Sequence, residues 1–135
     1  MRIISGKFKG RSIEFLKNVN TRPLKDSVKE NIFNILEHSK KINIKIENSN
    51  ILDLYSGIGS FGLEAISRGA KKVTFIDQNV DTTNILKKNL DRFSITDKAR
   101  VLNEKIENFL SDTIKEKFDI FFLIHRFLIK RLQNF

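Results

Sequence analysis

The sequence predicts an α/β fold: a Rossmann-like parallel sheet with helices between its strands. Three observations predict it. From Asn50 onward, short apolar runs alternate with amphipathic stretches at regular spacing, the pattern of strands and helices joined by right-handed crossovers. A glycine-rich loop follows the first of these runs and opens a helical stretch, the context a cofactor loop requires. Asp77 closes the second apolar run, 20 residues after Gly57. The chain has 135 residues, enough for one domain with a core of its own.

Taken in order, residues 1–15 alternate and carry Gly6 and Gly10, which predicts a short strand pair with a turn. Residues 16–25 read as a loop around Pro23, the only proline. Ser27-Val28-Lys29-Glu30 fits a capping box. Val28, Ile32, Phe33, Ile35 and Leu36 then form an apolar helical face that ends near His38. Residues 39–49 are polar and rich in Lys and Asn, a linker with room for one weak strand. Residues 51–55 predict a buried strand, and 60–68 a helix stopped by Gly69. Residues 73–77 predict a second strand. A helix over 81–93 turns Ile85, Leu86, Leu90 and Phe93 inward. Residues 99–102 predict a third strand. Ile106, Phe109, Leu110 and Ile114 mark another helix, and 118–123 a fourth strand, apolar except for Asp119. The organisation is thus a hairpin and helix over 1–49, an α/β body over 50–123 and a tail over 124–135.

Composition excludes several classes. There are no cysteines, so neither disulfides nor thiolate metal sites are available, and no metal is expected. No apolar run reaches the ~18 residues of a membrane span, and the start has no signal-peptide core. A cytoplasmic protein with no membrane partner is expected. The net charge is +9 and unevenly spread. Residues 1–49 carry 11 basic and 5 acidic side chains, residues 50–123 carry 11 of each, and residues 124–135 carry 3 basic ones. A neutral body with a basic front suits a polyanion partner. A Lys-rich solvated surface accounts for the same numbers.

The loop reads Asp53-Leu54-Tyr55-Ser56-Gly57-Ile58-Gly59-Ser60-Phe61-Gly62. Glycines let the chain turn sharply and let a ligand approach the main chain. A carboxylate at Asp77 can accept both hydroxyls of an adenosine ribose. Gly57-x-Gly59-x-x-Gly62 also fits the dinucleotide fingerprint. Asp53 argues against that ligand, because a pyrophosphate on the helix N-terminus is repelled by a carboxylate at the strand end. S-adenosylmethionine has no phosphate, and its ammonium and sulfonium favour a nearby anion. It is the expected cofactor. Two plainer roles compete: Asp53 as a cap on the loop amides, and Asp77 as the N-cap of the next helix.

Ile51 to Ala70 resembles the RsmD-type bacterial methyltransferases. The opening Met1 to Arg11 is similar too, as are Arg22-Pro23 and the following Asp26, Val28, Lys29, Phe33, Asn34 and Leu36. The resemblance runs to about Leu123. It implies a class I S-adenosylmethionine-dependent methyltransferase core with sheet order 3-2-1-4. It implies methylation of a guanine N2 in small-subunit ribosomal RNA during subunit assembly. It would place Asp53, Tyr55, Gly57 and Gly59 around the methionine end of the cofactor and Asp77 on the ribose. The basic Arg2, Lys7, Lys9 and Arg11 would meet RNA phosphates, with Arg22 near the mouth of the site. Lys105 departs from the family, which usually shows Asp or Asn near adenine, although Ile106 could still pack on the ring.

After the fourth strand the family presents Asp-Pro-Pro followed by Phe or Tyr. The acid and a carbonyl orient the amine lone pair, and the aromatic ring stacks on the flipped base. This chain reads Ile124-His125-Arg126-Phe127 instead, so no catalytic residue is assigned. Ile-His-Arg-Phe can be written ATC CAC CGT TT-, and one G placed in front then gives GAT CCA CCG TTT, Asp-Pro-Pro-Phe. The expectation is a lost nucleotide at Ile124, an incomplete core and impaired catalysis. The alternatives are a non-catalytic RNA-binding remnant or a frame-shifted product without function. An uncovered fourth strand would leave Phe118, Ile120, Phe121, Phe122 and Leu123 without a next strand and its covering helices, and would favour self-association.

Overall fold

The computed structural model describes residues 1–16, 25–42, 44–111 and 116–124. A four-stranded parallel sheet runs in the order β3-β2-β1-β4. Its strands are β1 (Asn50–Leu54), β2 (Lys72–Ile76), β3 (Ala99–Leu102) and β4 (Ile120–Leu123). Ile51 lies beside Val73 on one side and Ile120 on the other, and Val73 lies beside Ala99. The expected order is therefore observed. At the start of β1 and β4 the chains clasp: Asn50 N–H donates to Asp119 Oδ2 at 2.8 Å, and Asp119 N–H to Asn50 O at 2.7 Å.

The helices are α1 (Asp26–His38), α2 (Ser60–Ser67), α3 (Val80–Arg92) and α4 (Ile106–Ser111), with one 3-10 turn at Thr96–Lys98. Strand alternation sorts residues between two cores. Ile51, Val73, Phe75, Ile120 and Phe122 join Phe33, Phe61, Leu63, Leu86 and Leu90 in the larger core. Leu52, Leu54 and Ile76 meet Ile106 in the smaller. The chain moves one way from β1 to β3 and then returns past β1 to β4. Right-handed crossovers therefore put α2 and α3 on one face and α4 on the other. Phe33, Phe61 and Phe122 form an aromatic triangle between α1, α2 and β4, with centroids 5.6–6.0 Å apart.

Residues 1–49 are built into the larger core rather than set apart. Ile3, Phe8, Ile13, Phe33 and Ile46 are all buried in it. The expected N-terminal strand pair forms as one antiparallel bridge, Arg2 with Ser12, its arms joined by Ile3 N–H to Arg11 O, Gly10 N–H to Ile3 O and Ile13 N–H to Met1 O. Nearer the turn the amides bond to α2 instead: Ile4 and Ser5 N–H donate to the Glu64 carboxylate at 2.8 and 3.0 Å. The capping box does not form. The helix starts at Asp26 with Lys25 at the N-cap and no side-chain cap bond, so Ser27 falls inside the first turn. Asp26 there lies 3.4 Å from Arg2 and favours the helix dipole. Ile35 is 56% exposed, because Lys29 and Phe33 define the buried face of α1 and Ile35 lies about 200° round the helix from Phe33. No strand forms in the described part of 39–49. On β4 the expected loss of cover holds for one face. Ile120 and Phe122 are buried in the larger core, because alternation turns them toward α1 and α2. Phe121 and Leu123 are exposed on the α4 face, where Ile106 is the one buried residue of α4.

Phe33→Ala is expected to cost about 3–5 kcal/mol of stability, read as a lower denaturation midpoint. Ile35→Ala on the same helix should stay within about 0.5 kcal/mol.

Candidate cofactor-binding site

β1 lies where the sheet order reverses, between β2 and β4, so the loops at its carboxyl end open a crevice. The chain leaves β1 at Tyr55, which has φ 56°. Ser56 N–H donates to Ile76 O at 3.1 Å, and Gly59 N–H turns back to Ser56 O at 2.8 Å. The three glycines of the loop have different reasons. A Cβ on Gly59 would lie 2.3 Å from Leu86 Cδ1, and one on Gly62 would lie 2.1 Å from Phe75 Cε1. Both glycines let α2 and its loop close on β2 and α3. A Cβ on Gly57 would meet nothing within 4 Å, and its φ is +54°. Gly57 is therefore the place where a ligand can lie on the main chain.

Gly57 N–H donates to Asp77 Oδ2 at 2.9 Å. The loop and the acid predicted from spacing thus meet directly. Asp77 Oδ1 accepts from Asn79 N–H at 2.8 Å, and Asn103 Nδ2 donates to Asp77 O at 3.0 Å. The N-cap of α3 is Asn79, whose side chain accepts from Thr82 N–H. Each Asp77 carboxylate oxygen keeps a lone pair for a further donor.

Asp53 is 4% exposed, and its Oδ2 accepts from Gly62 N–H at 3.2 Å. It caps the first turn of α2 from below. Burial pushes its carboxyl up to about 8, against the Gly62 N–H that lowers it and with Asp77 adding to the rise. Burial therefore favours the neutral carboxyl while no cation lies beside it, which weakens the repulsion expected at Asp53, and a cation laid above the loop would favour the ionised form. Ser56 Oγ, in the same loop, is buried with no hydrogen-bond partner. A polar ligand on the loop would satisfy it, and the open side of Gly57 leaves room for one.

The remaining expected residues divide. Tyr55 is 38% exposed at the turn. Ile106 is buried against Leu52, Leu54 and Ile76, which leaves little of it for a ring. Lys105 is exposed, and its carbonyl accepts from Asn108 and Phe109 at the start of α4. Arg2 is paired with Asp26. Arg11 donates to Arg92 O at 3.0 Å and its guanidinium lies 4.4 Å from the Phe93 ring centroid, so it closes the end of α3. Lys7 and Lys9 are exposed. Their turn is fixed at Ser67 by Lys7 N–H to Ser67 O at 2.8 Å, the far end of α2 from the glycine loop. Arg22, His125, Arg126 and Phe127 lie outside the described residues. Ile124 packs against the larger core. Among the described residues no group of three or more His, Cys, Asp or Glu side chains converges. A cleft of about 450 Å³ lined by Ile44, Lys45, Glu47, Asn48, Ser49 and Asp119 lies at the amino ends of β1 and β4, away from the loops that bind ligands in such sheets.

A buried ionic network was missed in the sequence. Lys29 Nζ donates to Arg2 O at 2.7 Å and to Ser60 Oγ at 3.2 Å, and lies 3.4 Å from Glu64 Oε1. Glu64 also accepts from Arg68 Nε at 2.9 Å. Arg68 Nη1 reaches Glu37 at 2.9 Å. The signal was available: Glu64 stands in an otherwise apolar stretch, Phe61 to Ile66, and a helix buried all round must pair its charge.

Residues 1–124 match the family described as Conserved hypothetical protein 95. The chain belongs to this family. A relative in Haemophilus influenzae, "Ribosomal RNA small subunit methyltransferase D", is 39% identical over 125 residues, 91% of this chain and 62% of that protein. A protein of the same description in Buchnera aphidicola from Acyrthosiphon pisum is 33% identical, over 98% of this chain and 67% of its own length. A solved structure from Escherichia coli superposes with a TM-score of 0.70 at 32% identity, over 83% of this chain and 56% of that one. This family member thus spans about three fifths of the length of such relatives, and its fold is the class I methyltransferase core that the resemblance implied.

The raised Asp53 carboxyl sets a pH dependence. Below about pH 4, where unfolded Asp ionises, both states hold the proton. Between there and about pH 8 only the folded state keeps it, so stability falls as pH rises through this window. Asp53→Asn retains an acceptor for Gly62 N–H and is expected to flatten that slope in denaturant titrations from pH 5 to 8.

Proposed function

We propose that this chain binds S-adenosylmethionine at the Gly57 loop and derives from an enzyme that methylates a guanine N2 of small-subunit ribosomal RNA. The observation that carries the reading is the open Gly57, tied to Asp77 at the end of β2 and underlain by the buried Asp53. Asp77 would hold the ribose hydroxyls with its remaining lone pairs. Asp53 and Ser56 would receive the amino-acid end. The bound cofactor would supply an electrophilic methyl group. The relatives' descriptions name ribosomal RNA of the small subunit, and that RNA, in the cytoplasm, is the proposed partner. Arg2, Lys7, Lys9 and Arg11 are all exposed and would meet its phosphates, Arg2 and Arg11 while also holding Asp26 and the end of α3. Among the described residues no helix is long and apolar enough to cross a membrane.

Methyl transfer by this chain should be weak. A guanine amine is a poor nucleophile and needs an acceptor that orients its lone pair. Ile124-His125-Arg126-Phe127 supplies no carboxylate there. We also propose that a second copy covers the exposed Phe121 and Leu123 of β4.

Isothermal titration with S-adenosylmethionine tests the reading. Saturable heat is expected, lost by at least about tenfold in affinity with Asp77→Ala, the equivalent of a charged hydrogen bond. NAD should give none. Heat with NAD and none with S-adenosylmethionine would sink the assignment. Incorporation of labelled methyl into unmethylated small subunits should fall roughly a hundredfold or more below that of a full-length relative. Sedimentation should show a mass that rises with protein concentration, and a strict monomer at high concentration would refute the paired β4.

A further inference from the structure

Of the features outside the cofactor crevice, the buried network at Lys29 reaches furthest. Lys29 and Glu64 are both fully buried, yet nothing about a sheet with covering helices requires a lysine there. Its ammonium has three donors. One goes to Arg2 O, one to Ser60 Oγ, and the third side faces Glu64. Ser60 is the first residue of α2 and directly follows Gly59. It has no side-chain role in capping, because the N-cap of α2 is Gly59 and makes no side-chain bond. The first turn of α2 is therefore gripped from two sides: Asp53 holds Gly62 N–H from β1, and Lys29 holds Ser60 Oγ from α1.

We propose that Lys29 is a positioning residue for the glycine loop: it fixes Ser60 and thereby the path of Gly57 and Gly59 over which the cofactor lies. The inference rests on the reading of that loop as a cofactor site. Burial pushes the Lys29 ammonium down, while Glu64 opposes the shift. Arg68 and Glu37 carry the network outward from Glu64. The same ammonium holds the carbonyl of Arg2, so the N-terminal segment and the cofactor loop share one anchor. Order in residues 1–5 and order in the loop are coupled through it.

The test separates positioning from mere stability. Ser60→Ala removes only the hydroxyl that Lys29 holds. Its melting temperature should stay within about 4 °C of the wild type, while affinity for S-adenosylmethionine falls roughly tenfold. Lys29→Met should lose at least as much affinity. Glu37→Gln disturbs the outer end of the network without touching Ser60; it should lower the melting temperature yet keep affinity within about twofold of wild type. Amide hydrogen exchange of the unliganded proteins gives a second reading that needs no cofactor: Gly59, Gly62 and Leu63 should exchange faster in Ser60→Ala and in Lys29→Met, and not in Glu37→Gln. Wild-type affinity and wild-type exchange in Ser60→Ala would overturn the proposal, even if Lys29→Met fails to fold. A wild-type chain that does not bind S-adenosylmethionine would refute the function instead, and exchange at Gly59 would still decide whether Lys29 holds the loop.

Discussion

Glu64 accepts from three segments that lie far apart in the chain: the amides of Ile4 and Ser5, the ammonium of Lys29 and the guanidinium of Arg68. A carboxylate taken out of water at the middle of a buried helix is costly, and only this many donors offset it. The constraint therefore runs outward from one side chain. It fixes where the N-terminal segment crosses α2. It fixes the depth of α1, since Lys29 must reach inward and Phe33 follows one turn later onto Phe61 and Phe122. Arg68 extends it by stacking on Phe33, its guanidinium 4.6 Å from the ring centroid. Breaking such a pair on one side alone typically costs about 3–5 kcal/mol. A large share of the marginal stability of a small domain hangs on it.

The cofactor crevice depends on the same arrangement at one remove. The sheet order places the crevice, and the close approach of α2 to β2 shapes it. Gly59 and Gly62 permit that approach, and Gly57 alone opens to a ligand. Burial of Asp53 beneath favours its neutral form, and a cation above it would favour the anion. A reading that treats each acid as an anion by default misses this, because burial is invisible in a sequence.

Much of the fold was legible because its pattern is local. Apolar runs of strand length, helices with a repeating face and glycines at their ends marked every strand and every described helix to within about two residues. The order 3-2-1-4 came from resemblance and agrees with the observed pairing. The departures have physical causes. Asp26 at the first turn, paired with Arg2, outweighed the Ser27–Glu30 box. The N-terminal alternation predicted a strand pair, and the arms do pair at Arg2 and Ser12, but the pairing stays short because the amides of Ile4 and Ser5 take the Glu64 carboxylate of α2. The basic front contained Lys29, which is not at the surface at all, and Arg2 and Arg11, which are held by neighbours.

The sequence by itself determined the alternation of strands and helices, the glycine loop and the distance from Gly57 to Asp77. These are set by spacing along the chain, which periodicity and turn chemistry record directly. Only the tertiary structure decided which charges are buried, which loop glycine is open and which serve packing, and that burial raises the Asp53 carboxyl. Each of these depends on neighbours distant in the chain, such as Phe75 beside Gly62, Leu86 beside Gly59 and Ile4 beside Glu64. Desolvation and steric contact act through space, and no local pattern carries them.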